Sequence, residues 1–177
     1  MSQSATLYRV SQEIFKQLNK PDNKQEFDIN SAKSYSTFQG TFIALVYILC
    51  KGQEKAITEL ICEIFNPKHA LGKQEFDSLT GEEQFEFYYS GRFIPYLDLP
   101  TISKLNDFIA TVSQTDIHLK YDAKEFNEND IYPEVWHNDN SPDQAYNERH
   151  ILEDFEKLKT IIIQADQEKD FIFVYVG

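Results

Sequence analysis

The stretch NERHILEDFEKLKTIIIQADQEKDFIFVYV, residues 147–176, decides the fold class of this 177-residue chain. Over 147–167 its apolar side chains recur four and three residues apart, which places them on one face of a helix: Ile151, Phe155, Leu158, Ile162 and Ala165. Its last six residues before Gly177, Phe171–Val176 (FIFVYV), form a continuous apolar run typical of a strand buried on both faces. An amphipathic helix followed directly by a buried strand predicts an α+β fold.

The residues before this stretch predict further helices and strands of a single compact domain spanning 1–177. The strands are expected at 4–9 and 84–94, and the connecting loops at 19–26 and 68–83. The helices are expected after Ser11, from 31 or 34 to 50, over 54–65, after Pro100, and over 115–121 and 122–127. This order indicates a small mixed or antiparallel sheet packed against several helices.

The charge of the chain is strongly acidic and unevenly distributed. Seventeen Lys and Arg residues stand against 29 Asp and Glu residues, which gives a net charge of −12. This balance argues against direct binding to nucleic acid or anionic lipid, because both are polyanions that need a basic footprint. Residues 122–170 hold 14 acidic and five basic residues, a net charge of −9. That excess indicates either a solvated face or a docking surface for a basic partner.

The first residues, the apolar runs and the two cysteines predict where the protein is located and the state of its thiols. Residues 1–5 (MSQSA) have neither a basic nor an apolar signal region, and the longest apolar run, Phe42–Cys50, has nine residues. A membrane span needs about 20, so we expect a cytoplasmic protein that does not enter a membrane. Cys50 and Cys62 stand in apolar helical patterns and are expected to be buried free thiols.

The motifs that carry common chemistries do not occur in the sequence. It contains no GxGxxG, phosphate loop, HExxH, CxxC or EF-hand pattern, and no serine in a GxSxG turn. His137 has Glu134, Asp139 and Asp143 nearby, but isolated ligands of this kind do not specify a metal. We therefore predict no metal, no cofactor and no catalytic residue, and an enzymatic activity is not favoured.

Residues 130–136 (DIYPEVW) place Tyr132 and the single tryptophan, Trp136, on either side of a proline. Aromatic side chains in such a segment usually pin a loop to the core. They are also frequent anchors of molecular recognition. Both interpretations remain open at the level of sequence.

Several segments, taken together, resemble the YfbM-like family, a bacterial family of unknown function. The similar segments are Arg92-Phe93-Ile94, Tyr121-Asp122, the Ile-Tyr-Pro-x-x-Trp block over 131–136, the helix and strand over 147–176, and more loosely residues 28–35 and Ala70-Leu71-Gly72. Tyr35 stands where the family has tryptophan, and an unusually apolar helix follows it. At these two places the sequence departs from the family pattern, so the resemblance does not carry over a ligand site. The resemblance implies an α+β fold and an intracellular bacterial protein, and it implies no reaction.

The first functional hypothesis is a non-catalytic binding protein of the immunity type, which neutralises a basic toxin by docking. A concentrated negative charge is complementary to such a partner. Its expected contact residues are Tyr132, Glu134, Trp136, Asp139, Asp143, Glu153 and Asp154.

The second hypothesis is a small-molecule-binding module or small enzyme. Arg92 would hold a carboxylate or phosphate, and Tyr35, Tyr132 and Trp136 would form the wall of the same pocket. The sequence does not indicate the oligomeric state.

Overall fold

A computed structural model describes residues 3–20 and 25–177 of the chain. Within these ranges the strands are β1 (Ser4–Val10), β2 (Ser34–Gln39), β3 (His69–Leu71), β4 (Ile94–Leu97) and β5 (Phe171–Val176). The α-helices are α1 (Gln12–Leu18), α2 (Phe42–Cys50), α3 (Lys55–Cys62), α4 (Lys73–Ser78), α5 (Glu82–Tyr89), α6 (Leu99–Ala110), α7 (Gln114–Lys120), α8 (Ala123–Glu128) and α9 (Glu148–Glu168). The predicted loop over 19–26 includes residues 21–24, which lie outside the described residues.

The five strands form one antiparallel sheet in the order β2-β1-β5-β4-β3. β5 pairs with both β1 and β4, so it lies in the middle of the sheet. A central strand has both faces covered, which explains why Phe171–Val176 reads as a continuous apolar run. The α+β fold is confirmed, and the sheet is antiparallel rather than mixed.

One face of the sheet packs against the long helices and forms the main core. Leu7 of β1 and Val174 of β5 point to this side and are buried against α2, α6 and α9. The predicted stripe of α9 is buried as expected: Ile151, Phe155, Leu158, Ile162 and Ala165. Fully burying one large apolar side chain contributes ~1.5–3 kcal/mol, so this interface is a major source of stability.

The other face of the sheet is aromatic and is partly covered by α1. Ser11 caps this helix as predicted, because its side chain accepts a hydrogen bond from the backbone N–H of Ile14. Phe15 then stacks on Phe171 with ring centroids 3.6 Å apart, and Phe27 meets Phe173 edge-on at 4.9 Å. The sheet is therefore sandwiched between a helical layer and a thinner aromatic layer.

The predicted long helix from 31 or 34 to 50 is wrong in its first half. Ser34–Gln39 is the edge strand β2, which pairs with β1 along its whole length, and only Phe42–Cys50 is helical. Gly40 has a φ of +71°, a left-handed conformation that interrupts a helix and separates the two elements. Tyr35, Thr37 and Phe38 are residue types that favour strands, and pairing with β1, which is distant in sequence, selects that conformation here.

The predicted strand over 84–94 and the predicted loop over 68–83 are also wrong. Glu82–Tyr89 is the helix α5, and the strand β4 begins only at Ile94. In a strand, Phe85, Phe87 and Tyr89 would share one face, but Phe87 is buried while Phe85 and Tyr89 are exposed, as a helix places them. The region predicted as a loop contains β3 and α4.

The two cysteines differ in their exposure. Cys62 is exposed, contrary to expectation, because it lies on the outer side of α3, whereas Cys50 is half-buried. Both thiols are free. No helix in the described parts of the chain is both long and apolar enough to cross a membrane.

Candidate functional site

The segment from α8 to the start of α9 carries most of the net negative charge of residues 122–170. Residues 122–146 hold seven acidic residues and a single basic one, Lys124, a net charge of −6. Six of the seven acidic side chains are exposed, and we call them the acidic face: Asp122, Glu128, Asp130, Glu134, Asp139 and Asp143. Within the described chain, Asp130, Glu134 and Asp143 have no ion-pair partner, so their charge is uncompensated locally.

Trp136 attaches this segment to α8 and to the core. Its indole N–H donates to the carbonyl of Ile131 at 2.9 Å, and its backbone N–H donates to Oδ1 of Asn127 at 2.9 Å. Nδ2 of Asn127 returns a hydrogen bond to the carbonyl of Trp136 at 3.0 Å. The ring meets Phe126 edge-on at 5.3 Å. The loop is therefore held by a reciprocal set of hydrogen bonds rather than by packing alone.

Asn147 attaches the other end of the segment to α9. Its side chain is buried, and Nδ2 donates to the carbonyls of Asp139 at 2.9 Å and Gln144 at 3.0 Å. Nearby, Nδ2 of Asn140 donates to Oε2 of Glu148 at 2.9 Å. Buried amides that satisfy loop carbonyls fix the backbone, so the carboxylates of the loop project from a defined scaffold.

Four of the predicted contact residues are exposed. Glu134, Asp139 and Asp143 belong to the acidic face, and Glu153 lies on the outer side of α9. Glu153 accepts a hydrogen bond from Arg149 at 2.9 Å, and Arg149 also donates to the carbonyl of Pro142 at 3.4 Å. These contacts place Glu153 next to the loop, with its charge partly neutralised.

The other three predicted contact residues, Tyr132, Trp136 and Asp154, are buried or half-buried. Trp136 is 2% exposed and Asp154 is 4% exposed, so neither is available to a partner. Asp154 faces inward because it accepts hydrogen bonds from the hydroxyl of Thr41 and from Lys157. Tyr132 is half-buried, and its hydroxyl accepts a hydrogen bond from the backbone N–H of Gln3 at 3.2 Å.

The pocket predicted from Tyr35, Arg92, Tyr132 and Trp136 does not form. Tyr35 lies on the edge strand β2, 67% exposed, against Tyr8 at a centroid distance of 5.8 Å. Arg92 lies between α5 and β4, towards the opposite edge of the sheet, and Trp136 is buried under α8. The prediction was wrong because the sheet order separates segments that the sequence alone could place together.

Arg92 instead lines a different cleft, of about 590 Å³, between the end of α1, the β3–α4 turn and the α5–β4 connection. We call it the α4 cleft, and its main lining residues are Lys20, Leu71, Lys73, Glu75, Phe87 and Arg92. Lys20, Lys73 and Phe87 were not singled out from the sequence. They are separated by long stretches of chain, and no local motif connects them.

Other titratable groups form a small cluster at the start of α9. Nδ1 of His118 lies 2.5 Å from Oε1 of the buried Glu148. Burial, followed by the charges of Glu148 and Asp122, raises the pKa of Tyr121 far above its usual value. Among residues 3–20 and 25–177, no three His, Cys, Asp or Glu side chains converge in the way that a metal ion requires.

The half-buried Cys50 thiol has little nucleophilic character. Burial, reinforced by the neighbouring Cys62, raises the pKa of the Cys50 thiol to about 12. A thiol with such a pKa is protonated at neutral pH and is a poor nucleophile.

Comparison with known proteins gives a family and a related fold. No curated protein matches the chain. A solved structure, described as a protein of unknown function, YfbM, from Escherichia coli, matches with a TM-score of 0.60 at 12% sequence identity, covering 100% of each chain. At this identity the likeness shows the fold alone. The model of the family described as Domain of unknown function (DUF1877) matches residues 1–175. The chain therefore belongs to this family, which is the YfbM-like family that the sequence resembles.

Proposed function

We propose that the protein is a non-catalytic binding protein of the cytoplasm that docks a basic protein partner through the acidic face. The partner we favour is a basic toxin, which an immunity-type protein would mask. One observation carries the proposal: six exposed carboxylates project from α8 and from the loop that follows it, and the backbone of this loop is fixed at both ends.

The charge arrangement supports docking more than simple solubility. Asp130, Glu134 and Asp143 form no ion pair within the described chain, whereas many other acids of the molecule lie in ion pairs. Uncompensated charges of one sign raise the local potential, which attracts a basic partner and speeds its association.

The rigidity of the loop supports the same proposal. The hydrogen bonds of Trp136 and Asn147 order the loop before any partner arrives. A preordered surface loses less conformational entropy on binding, so more of the interaction energy appears as affinity. Val135, which follows Glu134 in the chain, is 50% exposed and offers a small apolar contact beside that carboxylate.

The proposal is tested with a triple variant that neutralises three exposed carboxylates of the loop, Glu134→Gln, Asp139→Asn and Asp143→Asn. The partner to use is the most basic protein encoded next to this gene, co-expressed and purified, with binding measured by titration calorimetry. We expect the triple variant to weaken binding at least about tenfold, and the wild-type affinity to fall with added salt.

The matched control neutralises three exposed acids elsewhere, Glu13→Gln, Glu59→Gln and Glu86→Gln. It changes the net charge by the same amount, and we expect it to retain wild-type affinity. Equal loss in both triple variants would show only a general charge effect, and that result contradicts a docking face at 122–143. Absence of any binding to a basic neighbouring protein contradicts the immunity role.

A further inference from the structure

The α4 cleft combines an apolar floor with a charged rim. Its floor includes the buried side chains of Leu71, Phe87 and Ile94. Its rim includes Lys20, Lys73 and Arg92 as cations and Glu75 as an anion. Clefts with apolar walls and a few oriented polar groups are typical of sites for small molecules.

The sign of the charge around the cleft is opposite to that of the protein. Three cations and one anion give these lining residues a formal charge of +2, while the whole chain carries −12. In a strongly acidic molecule, such a local excess of positive charge concentrates anions at one place. A ligand carboxylate has one negative charge and needs fewer than three cations. The positive charge of the cleft matches a ligand group with two negative charges.

The guanidinium of Arg92 is already held in a defined orientation. Its Cζ lies 4.3 Å from the centre of the Phe87 ring, and its Nε donates to Oγ of Ser90 at 3.0 Å. One terminal nitrogen also donates to Oε1 of Glu75 at 3.1 Å. A planar guanidinium stacked on an aromatic ring is well suited to bind phosphate, because little freedom is lost on binding.

The ion pair between Arg92 and Glu75 acts as a weak internal competitor. The Glu75 side chain is 57% exposed, and exposed ion pairs contribute little to stability. An incoming dianion would therefore displace the carboxylate at small cost, and Glu75 would then repel the ligand rather than assist it.

From these contacts we propose that the α4 cleft binds a small phosphomonoester with an apolar substituent. The phosphate contacts Arg92 and Lys73, and Lys20 adds a third positive charge. The substituent lies on the floor formed by Leu71 and Ile94. This site is separate from the acidic face, and it does not depend on the docking proposal.

The probe is phenyl phosphate, titrated into the full-length protein and followed by amide chemical shifts in two-dimensional NMR. We expect saturable shifts at Gly72, Lys73 and Arg92. Lys73→Gln and Arg92→Gln should each weaken binding about tenfold, because each removes a charge-assisted contact. Glu75→Gln should strengthen binding severalfold, because it removes the competing carboxylate.

The control is Lys55→Gln, an exposed lysine of α3 outside the cleft, which should leave affinity unchanged. Lys73 and Glu75 are exposed, so their variants test the site even where Arg92→Gln alters folding. The proposal is overturned if no saturable shifts occur up to about 10 mM phenyl phosphate, because a dissociation constant above that concentration means negligible affinity. It is overturned equally by Lys55→Gln weakening binding as much as Lys73→Gln, by weaker binding in Glu75→Gln, or by inorganic phosphate binding as tightly as phenyl phosphate.

Discussion

At the scale of single residues, Trp136 shows how one side chain organises the acidic face without belonging to its surface. The indole lies between Phe126 and Tyr146, with ring centroids at 5.3 and 5.9 Å, and its N–H bonds to the carbonyl of Ile131. The apolar surface of the ring is thus buried, and its N–H is hydrogen-bonded inside the protein. Its contribution to a docking function is indirect, through the position of the carboxylates around it.

Replacing Trp136 with alanine should therefore lower the free energy of unfolding by about 3–5 kcal/mol, the usual cost of emptying a large aromatic site. Urea denaturation followed by circular dichroism measures this change. The control is Val135→Ala, which removes a side chain that is 50% exposed and should change stability by less than about 0.5 kcal/mol. A loss below about 1 kcal/mol for Trp136→Ala would contradict the anchoring role.

At the scale of elements, the turn from β3 into α4 shapes the α4 cleft. Gly72 occupies this turn with a φ of +72°. A Cβ at this position would lie 2.5 Å from the carbonyl oxygen of Arg92 and 3.1 Å from the ring of Phe87. The turn can approach the α5–β4 connection only because residue 72 has no side chain.

A comparison of two glycines separates this steric effect from backbone strain. Gly52, after α2, has a similar φ of +78°, but a Cβ there meets no atom within 4 Å. Gly52→Ala should therefore cost only the ~1–2 kcal/mol of a left-handed alanine. Gly72→Ala should cost more by roughly 1–3 kcal/mol, because backbone must also move.

Thermal and urea denaturation of both variants give the difference directly. A Gly72→Ala protein as stable as the Gly52→Ala protein would show that the turn has room to relax. In that case the close approach of Gly72 to Arg92 would not be a requirement of the fold.

At the scale of the whole molecule, an ion-pair network connects the start of the sheet with the end of α9. Arg9 and Lys33 contact Glu168 at 2.8 and 2.9 Å, and Lys33 also contacts Asp170 at 2.9 Å. Hydrogen bonds from Arg9 and then Lys33 hold the pKa of Glu168 below its ordinary value of 4.5. Lys51, followed by Tyr47, lowers the pKa of Glu125 in the same way.

These shifts predict a loss of stability in acid. Because each folded pKa lies below the unfolded value, the unfolded chain binds more protons as the pH falls. The stabilisation is therefore complete above about pH 4.5 and is lost as the pH falls through the lower folded pKa. Midpoints of urea denaturation between pH 6 and pH 3 should show a decrease that begins near the ordinary pKa of glutamate.

The variant Glu168→Gln should flatten this pH dependence, because it removes one of the shifted groups. Glu128→Gln is the control, since Glu128 is an exposed glutamate whose contact with Lys124 is 3.6 Å long. Glu168 is itself solvent-accessible, so added salt should reduce the effect. Curves of equal steepness for Glu168→Gln and Glu128→Gln would contradict a role for the network in acid stability.

The sequence by itself determined the fold class and the elements whose signals are local. The periodicity of α9, the apolar run of β5, the Ser11 cap and the helix after Pro100 were all visible, because each depends on residues within one or two turns. The concentration of acids in 122–170 was visible for the same reason, as was the resemblance to the family.

Only the tertiary structure decided which of these residues meet and which reach the surface. Residues 34–39 form a strand that pairs with β1, and residues 82–89 form a helix whose buried side chain is Phe87. Trp136 is buried against α8, and Asp154 is buried where it accepts a hydrogen bond from Thr41. Arg92 lines the same cleft as Lys20 and Lys73 and lies far from Tyr35. Contacts between distant segments depend on the packing of the entire chain, and local sequence patterns do not encode them.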